Sequence, residues 1–356
     1  MLKDSVKFFG FGQCGSRLGL EFARLGYSVS YYNSDIVDFR GSGIGEQDLL
    51  LLSGEGSGGK PERGKEIIDT NGTAFKDFLI SKMERGKMQV FIAGLGGGTG
   101  GSSIIPAIEI AKEQGHKIGL ILTLPPKFQG MLSMDNAMKT LRNLKTYDVN
   151  MFILADNEHL RKKIGFSDEW WKEINEFIVV RLISVFNLIR EGKVSQSGVG
   201  SIDHAEILRI LEYGKGLTDI RDIYFNVQET TEMDDEEIRD RLFTPSLMEG
   251  FNYKDTLAYL VNIDVPKGGS YTDFASKVFD ITKNVCGSSI SRLGMFVDPL
   301  LANSVRVSII NSGLKLPKRI IRSRINNLKR DAVRHAQKKT KVEAMDFSDV
   351  DGILVD

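Results

Sequence analysis

Residues 94–101 read Gly-Leu-Gly-Gly-Gly-Thr-Gly-Gly, and this glycine-rich stretch decides the fold. It follows residues 88–93, an apolar segment typical of a buried strand, and precedes residues 102–111, which have the pattern of a helix. Backbone N–H groups can surround phosphate oxygens where no Cβ intervenes, and the positive end of a helix dipole adds to the attraction. The stretch therefore predicts a phosphate-binding site between a strand and a helix, and hence a nucleotide ligand.

The composition is that of an ordinary globular protein. The chain has 356 residues, long enough for two domains, with 41% hydrophobic and 26% charged residues and a formal net charge of zero. Bulk charge thus gives no reason to expect nucleic-acid binding, and no apolar run is long enough for a membrane helix. The two cysteines, Cys14 and Cys286, form no disulfide framework, and the four histidines are dispersed. We expect a cytoplasmic protein without a protein-built metal site.

Strand-like and helix-like segments alternate through the first half, which predicts an α/β fold with a Rossmann-type, mostly parallel sheet and helices on both faces. In such a sheet the ligand lies beyond the carboxyl ends of the strands, where each glycine motif falls. The predicted strands are 6–11, 28–33, 88–93, 117–124 and 150–155, and the predicted helices are 16–25, 61–84, 104–114 and 134–147.

The later part of the chain predicts further regions with different patterns. Residues 168–192 have a long helical periodicity that is apolar around much of the circumference, which indicates a buried central helix. We divide the chain into a nucleotide-binding domain (1–167), this core helix (168–192), a smaller α+β domain (193–314) and a C-terminal helix and tail (315–356). Strands at 222–227, 256–265, 293–297 and 305–311 and helices at 234–242 and 271–285 are predicted for the α+β domain.

A second glycine motif, Gly10-Phe-Gly-Gln-Cys-Gly15, directly follows the first strand. With Asp35 at the end of the next strand, it matches the dinucleotide-binding fingerprint. An NAD-dependent oxidoreductase built on these residues is therefore an alternative function. That alternative leaves residues 94–101 without a role, and no catalytic His, Lys or Tyr constellation is evident.

A third glycine motif spans residues 54–61 and reads Gly-Glu-Gly-Ser-Gly-Gly-Lys-Pro. Its first seven residues fit the P-loop pattern, but Pro61 stands where a P-loop needs a Ser or Thr hydroxyl for Mg²⁺. Two other interpretations stay open. One is a phosphate-binding loop leading into a helix with Pro61 in its first turn, and the other is a flexible surface loop.

Taken together and in this order, the motifs resemble those of the tubulin/FtsZ superfamily of GTPases. Gly96-Gly-Gly-Thr-Gly-Gly101 is similar to the family signature, with Gly101 where Thr or Ser is usual, and Gly12–Gly15 is similar to the tubulin version of the first loop. The resemblance covers roughly residues 5–312. Further matches are Asn33-Ser-Asp35, Gly56–Gly64, Thr123-Leu-Pro-Pro126, Asp156-Asn157 and Asn175.

The resemblance implies a tubulin/FtsZ-like fold with GTP or GDP and Mg²⁺ as ligands. The Mg²⁺ would lie on the phosphates and keep several waters, without a cage of protein ligands. Asn33, Asn157 and Asn175 would contact the base and ribose. The nucleotide-binding residues implied are Gly12, Gln13, Cys14, Asn33, Asp35, Gly58, Gly59, Gly96, Gly97, Gly98, Thr99, Gly100, Gly101, Gln129, Asn157 and Asn175.

In this superfamily a loop from the next subunit completes the hydrolytic site. The corresponding stretch here is Ser201-Ile-Asp-His-Ala-Glu206, which assigns Asp203 to orienting the attacking water and Glu206 to assisting it. The same spacing of three is also that of an ordinary helix capping box, and the two interpretations are compatible. A shared site implies head-to-tail filaments whose assembly switches on hydrolysis.

The short length and divergent loops look most like the TubZ-type branch of plasmids and phages, whose filaments partition DNA. A cell-division FtsZ-type GTPase is the alternative within the superfamily; the stretch Phe128-Gln129-Gly130 departs from its usual Phe-Glu-Gly with a nearby Arg. Residues 315–341 predict either an amphipathic helix docked through Ile320, Ile321, Ile325 and Leu328, or a segment whose far end engages a partner. The implied partner is a DNA-bound adaptor protein, and direct DNA contact by the basic cluster stays open.

Overall fold

The computed structural model divides the chain into two compact units. The first unit holds Lys3–Glu176 together with the chain from Pro317 onward, and the second holds Phe177–Leu316. The division falls within a helix, between Glu176 and Phe177. The structure describes residues 2–37, 44–165, 167–186, 188, 194–195, 202–213, 216–287 and 290–336.

A six-stranded sheet forms the centre of the first unit, and all of its neighbouring strands are parallel. Its strands are β1 (Val6–Phe11), β2 (Val29–Asp35), β3 (Leu49–Gly54), β4 (Met88–Gly94), β5 (Ile118–Leu124) and β6 (Met151–Asp156). The spatial order β3-β2-β1-β4-β5-β6 proceeds in opposite directions from β1 and β4. The carboxyl ends of β1 and β4 therefore form a topological switch point, where ligands bind in doubly wound sheets. The predicted α/β fold is confirmed.

The helices of the first unit differ from the prediction mainly at their starts. Two of them begin at Gly12 and Gly98, so glycines that the sequence pattern assigns to loops lie in first helical turns. The single helix predicted over 61–84 is wrong, because non-helical Asn71 divides it into two. The helices are α1 (Gly12–Arg24), α2 (Pro61–Thr70), α3 (Gly72–Lys82), α4 (Gly98–Glu113), α5 (Gly130–Leu144) and α6 (Asn157–Ile164), together with the first part of α7 (Trp170–Phe186).

Of the helix predicted over 168–192, the structure describes α7 and Leu188; residue 187 and residues 189–192 lie outside the described part. Pro61 is the first residue of α2, as the phosphate-loop interpretation of residues 54–61 predicts. The sequence pattern misses β3, whose residues are mostly half-buried, and α6, which is mainly polar.

Close packing fixes α1 against the sheet. Every residue of β1 is buried, and Phe8 stacks on Phe22 of α1 with ring centroids 4.2 Å apart. At Gly15 a Cβ would lie only 2.2 Å from the carbonyl oxygen of Ile92 in β4. The absence of a side chain at Gly15 thus sets the position of the first turn of α1, directly beside the switch point.

The second unit is a smaller α+β domain, as predicted. Its sheet has the order β7-β10-β9-β11-β8; β9 and β10 are parallel and the other pairs antiparallel. All four predicted strands and both predicted helices are present with shifted ends. The elements are β7 (Val194–Ser195), α8 (His204–Tyr213), β8 (Leu217–Asn226), α9 (Glu229–Glu232), α10 (Asp235–Leu242), β9 (Ala258–Val265), α11 (Thr272–Cys286), β10 (Ile290–Val297) and β11 (Ser304–Leu314).

The final described helix, α12 (Lys318–Ala336), belongs to the first unit. Ile321, Ile325 and Leu328 are buried, which confirms the predicted docking of this amphipathic helix, and Ile320 is partly buried. Residues 337–341 of the predicted segment lie outside the described residues. Within the described chain, no helix combines the length and apolarity needed to cross a lipid bilayer.

A glycine-to-alanine pair tests the packing of α1. We expect Gly15→Ala to lower the free energy of unfolding by about 1–3 kcal/mol, because its methyl group meets main-chain atoms of β4 that cannot rotate away. Gly72→Ala, at the open start of α3, is the matched control and should leave stability unchanged or raise it by up to about 1 kcal/mol. Urea denaturation midpoints measure both, and equal midpoints for the two variants would contradict this account.

Candidate functional site

The switch point holds a cleft of about 580 Å³ within the first unit. It is lined by the carboxyl ends of β1, β2 and β4, by the segments that follow β3, β4, β5 and β6, and by the first turns of α1 and α4. Except for Gly101, every predicted nucleotide-binding residue lines this cleft: Gly12, Gln13, Cys14, Asn33, Asp35, Gly58, Gly59, Gly96, Gly97, Gly98, Thr99, Gly100, Gln129, Asn157 and Asn175. Gly101 is buried beside Thr140 of α5 instead.

Two helix N-termini border the cleft. Helix α1 starts at Gly12 and α4 at Gly98, and neither has a capping side chain or an acidic residue in its first turn. The first-turn N–H groups of a helix have no intrahelical partner, and the helix dipole makes this end positive. Arg17 of α1 also lines the cleft. The arrangement suits an anionic ligand such as a phosphate chain.

The glycines after β4 serve mainly for close approach between protein segments. A Cβ at Gly98 would lie 2.4 Å from Ser57 Oγ and 2.7 Å from the amide nitrogen of Lys60, and one at Gly100 would lie 2.7 Å from the carbonyl oxygen of Gly94. At Gly97, by contrast, a Cβ would meet no atom within 4 Å. Gly98 and Gly100 thus let the loops converge, while Gly97 leaves open volume in the cleft.

Three hydroxyl groups join the converging loops. Thr99 Oγ1 lies 2.6 Å from Ser34 Oγ and 3.1 Å from Ser57 Oγ, and all three side chains are buried. They come from the start of α4, from β2 and from the loop before α2, and all three residues line the cleft. This hydroxyl cluster fixes the relative positions of the three segments through hydrogen bonds. Ser34 and Ser57 cannot be assigned to the site from the sequence alone, because Ser is common in turns.

Amide side chains and aromatic rings line another part of the cleft. Asn157 and Asn175 are both buried, and the Oδ1 atom of Asn157 has no hydrogen-bond partner among the described residues. A buried amide oxygen in a cleft is suited to a ligand donor. Phe128 and Trp171 lie nearby with ring centroids 6.2 Å apart. Trp171 precedes Asn175 by one helical turn, a signal that the sequence analysis misses.

The titration of two groups near the cleft is shifted. Burial raises the pKa of the Cys14 thiol, and its contact with Thr123 Oγ1 at 3.3 Å opposes that shift only in part. Burial also disfavours ionisation of Glu158, but the Lys127 N–H and the Arg161 guanidinium, each 3.1 Å from a carboxylate oxygen, outweigh it and lower the pKa of Glu158. The charged Glu158 therefore ties the segment after β5 to α6.

The predicted catalytic carboxylates lie in the second unit. Asp203 Oδ1 accepts a hydrogen bond from the Glu206 N–H at 2.7 Å, and Glu206 Oε2 accepts one from the Asp203 N–H at 3.2 Å. The capping box that the sequence predicts at the start of α8 is thus confirmed. Glu206 Oε1 also pairs with Arg292 Nε at 2.7 Å. Asp203 is exposed, and its capping bond uses one of its two carboxylate oxygens.

Among the described residues, no group of three or more His, Cys, Asp or Glu side chains is placed to hold a metal ion. Asp35 is the acidic residue of the cleft lining, close to the hydroxyl cluster in sequence at the end of β2.

Residues 5–165 match the model of the Tubulin/FtsZ family, GTPase domain. The match runs from β1 to the end of α6 and includes all three glycine motifs. Residues 5–165 are therefore similar to the GTPase domain of the tubulin/FtsZ family, and the chain has the fold of that superfamily. The resemblance drawn from the sequence is confirmed.

Curated relatives support the match over longer stretches. The cell division protein FtsZ of Buchnera aphidicola is 24% identical over 338 residues, which cover 90% of this chain and 82% of that protein. Cell division protein FtsZ 1 of Methanocaldococcus jannaschii is 22% identical over 271 residues, which cover 74% of this chain and 69% of that protein.

Solved structures show the same fold. A GTPγS-form protofilament of TubZ from Bacillus thuringiensis serovar israelensis superposes with a TM-score of 0.77 at 16% identity, covering 96% of this chain and 94% of that one. CetZ2 from Haloferax volcanii, a GTPγS-bound protofilament, gives a TM-score of 0.74 at 20% identity, covering 94% and 99% of the two chains.

Alanine substitutions at two neighbouring glycines distinguish an effect on the ligand from an effect on protein packing. We expect Gly97→Ala to keep the wild-type stability but to weaken binding of a fluorescent GDP analogue by about tenfold or more, because its methyl group enters open cleft volume. Gly98→Ala should lower both the stability and the affinity for the GDP analogue, because its methyl group displaces Lys60 main-chain atoms. Urea denaturation and fluorescence titration measure the two effects. Normal GDP binding by a folded Gly97→Ala protein would contradict the placement of the phosphates.

Proposed function

We propose that this protein is a cytoplasmic, GTP-dependent filament protein that hydrolyses GTP when it assembles. The observation that carries the proposal is the cleft at the switch point, where two uncapped helix N-termini and three glycine-containing segments converge inside the part that matches a GTPase domain. The phosphates would lie at the starts of α1 and α4. The amides of Asn33, Asn157 and Asn175 would contact the guanine base and ribose.

Magnesium fits this arrangement as a phosphate-bound ion. Asp35 and the Thr99 hydroxyl are the oxygen groups on the protein side of the cleft that would hold it, mostly through waters. When bound, the ion would neutralise charge on the β- and γ-phosphates. The hydroxyl cluster and the helix N-termini then position the phosphate chain.

Hydrolysis is proposed to need a second copy of the chain. Asp203 is exposed and can present a carboxylate to a neighbouring subunit, where it would orient the attacking water. Glu206 already contacts Arg292 and the Asp203 N–H, so its assisting role is to fix the start of α8. Head-to-tail contact of this kind builds an open filament. Filament and protofilament forms among the structural neighbours support self-assembly.

The cellular role that we propose is partitioning of plasmid or phage DNA. The fold likeness to TubZ supports it, and the curated FtsZ relatives keep a cell-division role as the alternative. We assign recruitment of a DNA-bound adaptor to the C-terminal region, residues 315–356. Docking of α12 leaves Arg319, Arg322 and Arg330 exposed, and direct DNA contact by these basic side chains is the second possibility.

Nucleotide identity and assembly are the primary test. The nucleotide released on denaturing the purified protein should be guanine nucleotide, and NAD would favour the oxidoreductase alternative. The GTPase rate per molecule should rise steeply once the protein concentration exceeds an assembly threshold, and light scattering should rise at the same concentration. A rate per molecule that stays constant across the threshold would exclude a site shared between subunits.

A pair of capping aspartates tests the role of Asp203. We expect Asp203→Asn to keep the α8 cap, to bind GTP and to form filaments, but to lose at least about 90% of GTP turnover because the carboxylate charge is removed. Asp234 is the matched control, since it forms the same reciprocal capping box with Glu237 at the start of α10. Asp234→Asn should turn over GTP at the wild-type rate. Equal rates for the two variants would contradict the catalytic assignment.

Genetic disruption distinguishes the two cellular roles. Under the partitioning role, deleting the coding sequence should raise the rate at which the replicon that encodes it is lost from dividing cells, with cell length unchanged. A division role would instead produce elongated cells without replicon loss, and that result would overturn the partitioning proposal.

A further inference from the structure

A buried ion pair links the last described helix to the cleft. Arg324 of α12 and Asp156 at the end of β6 have their Nη1 and Oδ1 atoms 2.5 Å apart, and both side chains are at least 95% buried. The other terminal nitrogen of Arg324, Nη2, donates to the carbonyl oxygen of Pro125. One guanidinium therefore holds the ends of two neighbouring strands, β5 and β6.

Both of these contacts are next to cleft residues. Pro125 itself lines the cleft, and Asp156 directly precedes Asn157, whose Oδ1 atom is buried without a partner among the described residues. Asp156 Oδ1 also accepts the Glu158 N–H at 3.0 Å, so the same carboxylate caps α6 and binds Arg324. The orientation of Asn157 thus depends on the carboxylate that Arg324 holds.

A second hydrogen bond connects the segment after β5 with the start of α6. Glu158 Oε2 accepts the N–H of Lys127, two residues beyond Pro125. The segment after β5 and the start of α6 therefore move together, and Arg324 attaches both of them to α12. Removing one partner of a buried pair leaves the other charge uncompensated, so loss of either Arg324 or Asp156 should strongly weaken this attachment.

We propose that Arg324 is a positioning residue for the nucleoside part of the ligand and that it couples docking of α12 to nucleotide affinity. This inference rests on the proposed binding of guanine nucleotide in the cleft. Because coupling between two sites is reciprocal, bound nucleotide also stabilises the docked α12. A partner that displaces α12 then lowers nucleotide affinity without touching the cleft.

The first test compares Arg324→Gln with Arg330→Gln, a control at an exposed arginine of the same helix. We expect Arg324→Gln to weaken binding of the fluorescent GDP analogue at least tenfold and Arg330→Gln to leave it unchanged. GTP turnover at saturating GTP should stay within threefold of wild type for both, since the attacking water is oriented elsewhere. Arg324→Lys keeps the charge but not both bonds, so it should restore part of the affinity.

A second readout does not need nucleotide. In the ligand-free protein, hydrogen exchange of the amides at 127–129 and 157–160 should be faster in Arg324→Gln than in wild type or Arg330→Gln. If Arg324→Gln does not fold, Asp156→Asn serves instead, because Asn still caps α6 while the ion pair is lost.

Two results are decisive. Unchanged GDP affinity in folded Arg324→Gln or Asp156→Asn, with a wild-type protein that binds GDP, would overturn this inference alone. A wild-type protein that binds no guanine nucleotide, while its exchange at 157–160 still depends on Arg324, would overturn the proposed function and with it the coupling to nucleotide, and would leave a purely structural link.

Discussion

The approach of main chain to main chain at the carboxyl ends of β1 and β4 is the constraint on which the first unit depends. A Cβ at Gly12 would lie 3.0 Å from the Gly100 amide nitrogen, and Gly12 has a φ of +65° that side chains disfavour. A Cβ at Gly98 would lie closer still, 2.6 Å from the carbonyl oxygen of Lys60 in the loop before α2. Since parallel strands end at one edge, helices α1 and α4 can both direct their N-termini there only if the residues at the closest approaches, Gly12, Gly98 and Gly100, carry no side chains.

Much of the fold follows from the sequence because its signals are local. Strand β1 was predicted with its observed ends, since an apolar run followed by glycine marks a buried parallel strand. The sequence does not predict the division of the helix expected over 61–84, because Asn71 is only a weak helix breaker and the apolar periodicity continues through it. Strand β3 was missed because an edge strand carries little alternation.

The candidate site likewise has residues that the sequence predicts and residues that it does not. Glycines and asparagines could be assigned from motifs, and the capping box of Asp203 and Glu206 from spacing. The hydroxyl cluster could not be predicted, because Ser34, Ser57 and Thr99 come together only when three distant loops fold. Gly101 was assigned to the ligand by its place in a run, whereas helical geometry turns it toward α5. Long-range contacts of this kind leave no local pattern in one sequence.

The large sequence separation between Arg324 and its two partners has a consequence for the order of synthesis. Its partners Asp156 and Pro125 precede it by 168 and 199 residues. The segments beside the cleft are therefore translated long before the helix that holds them in place. A nascent chain therefore lacks this attachment until Arg324 has left the ribosome. The ends of β5 and β6 are made first and are fixed by the guanidinium only after a further 168 residues have followed Asp156.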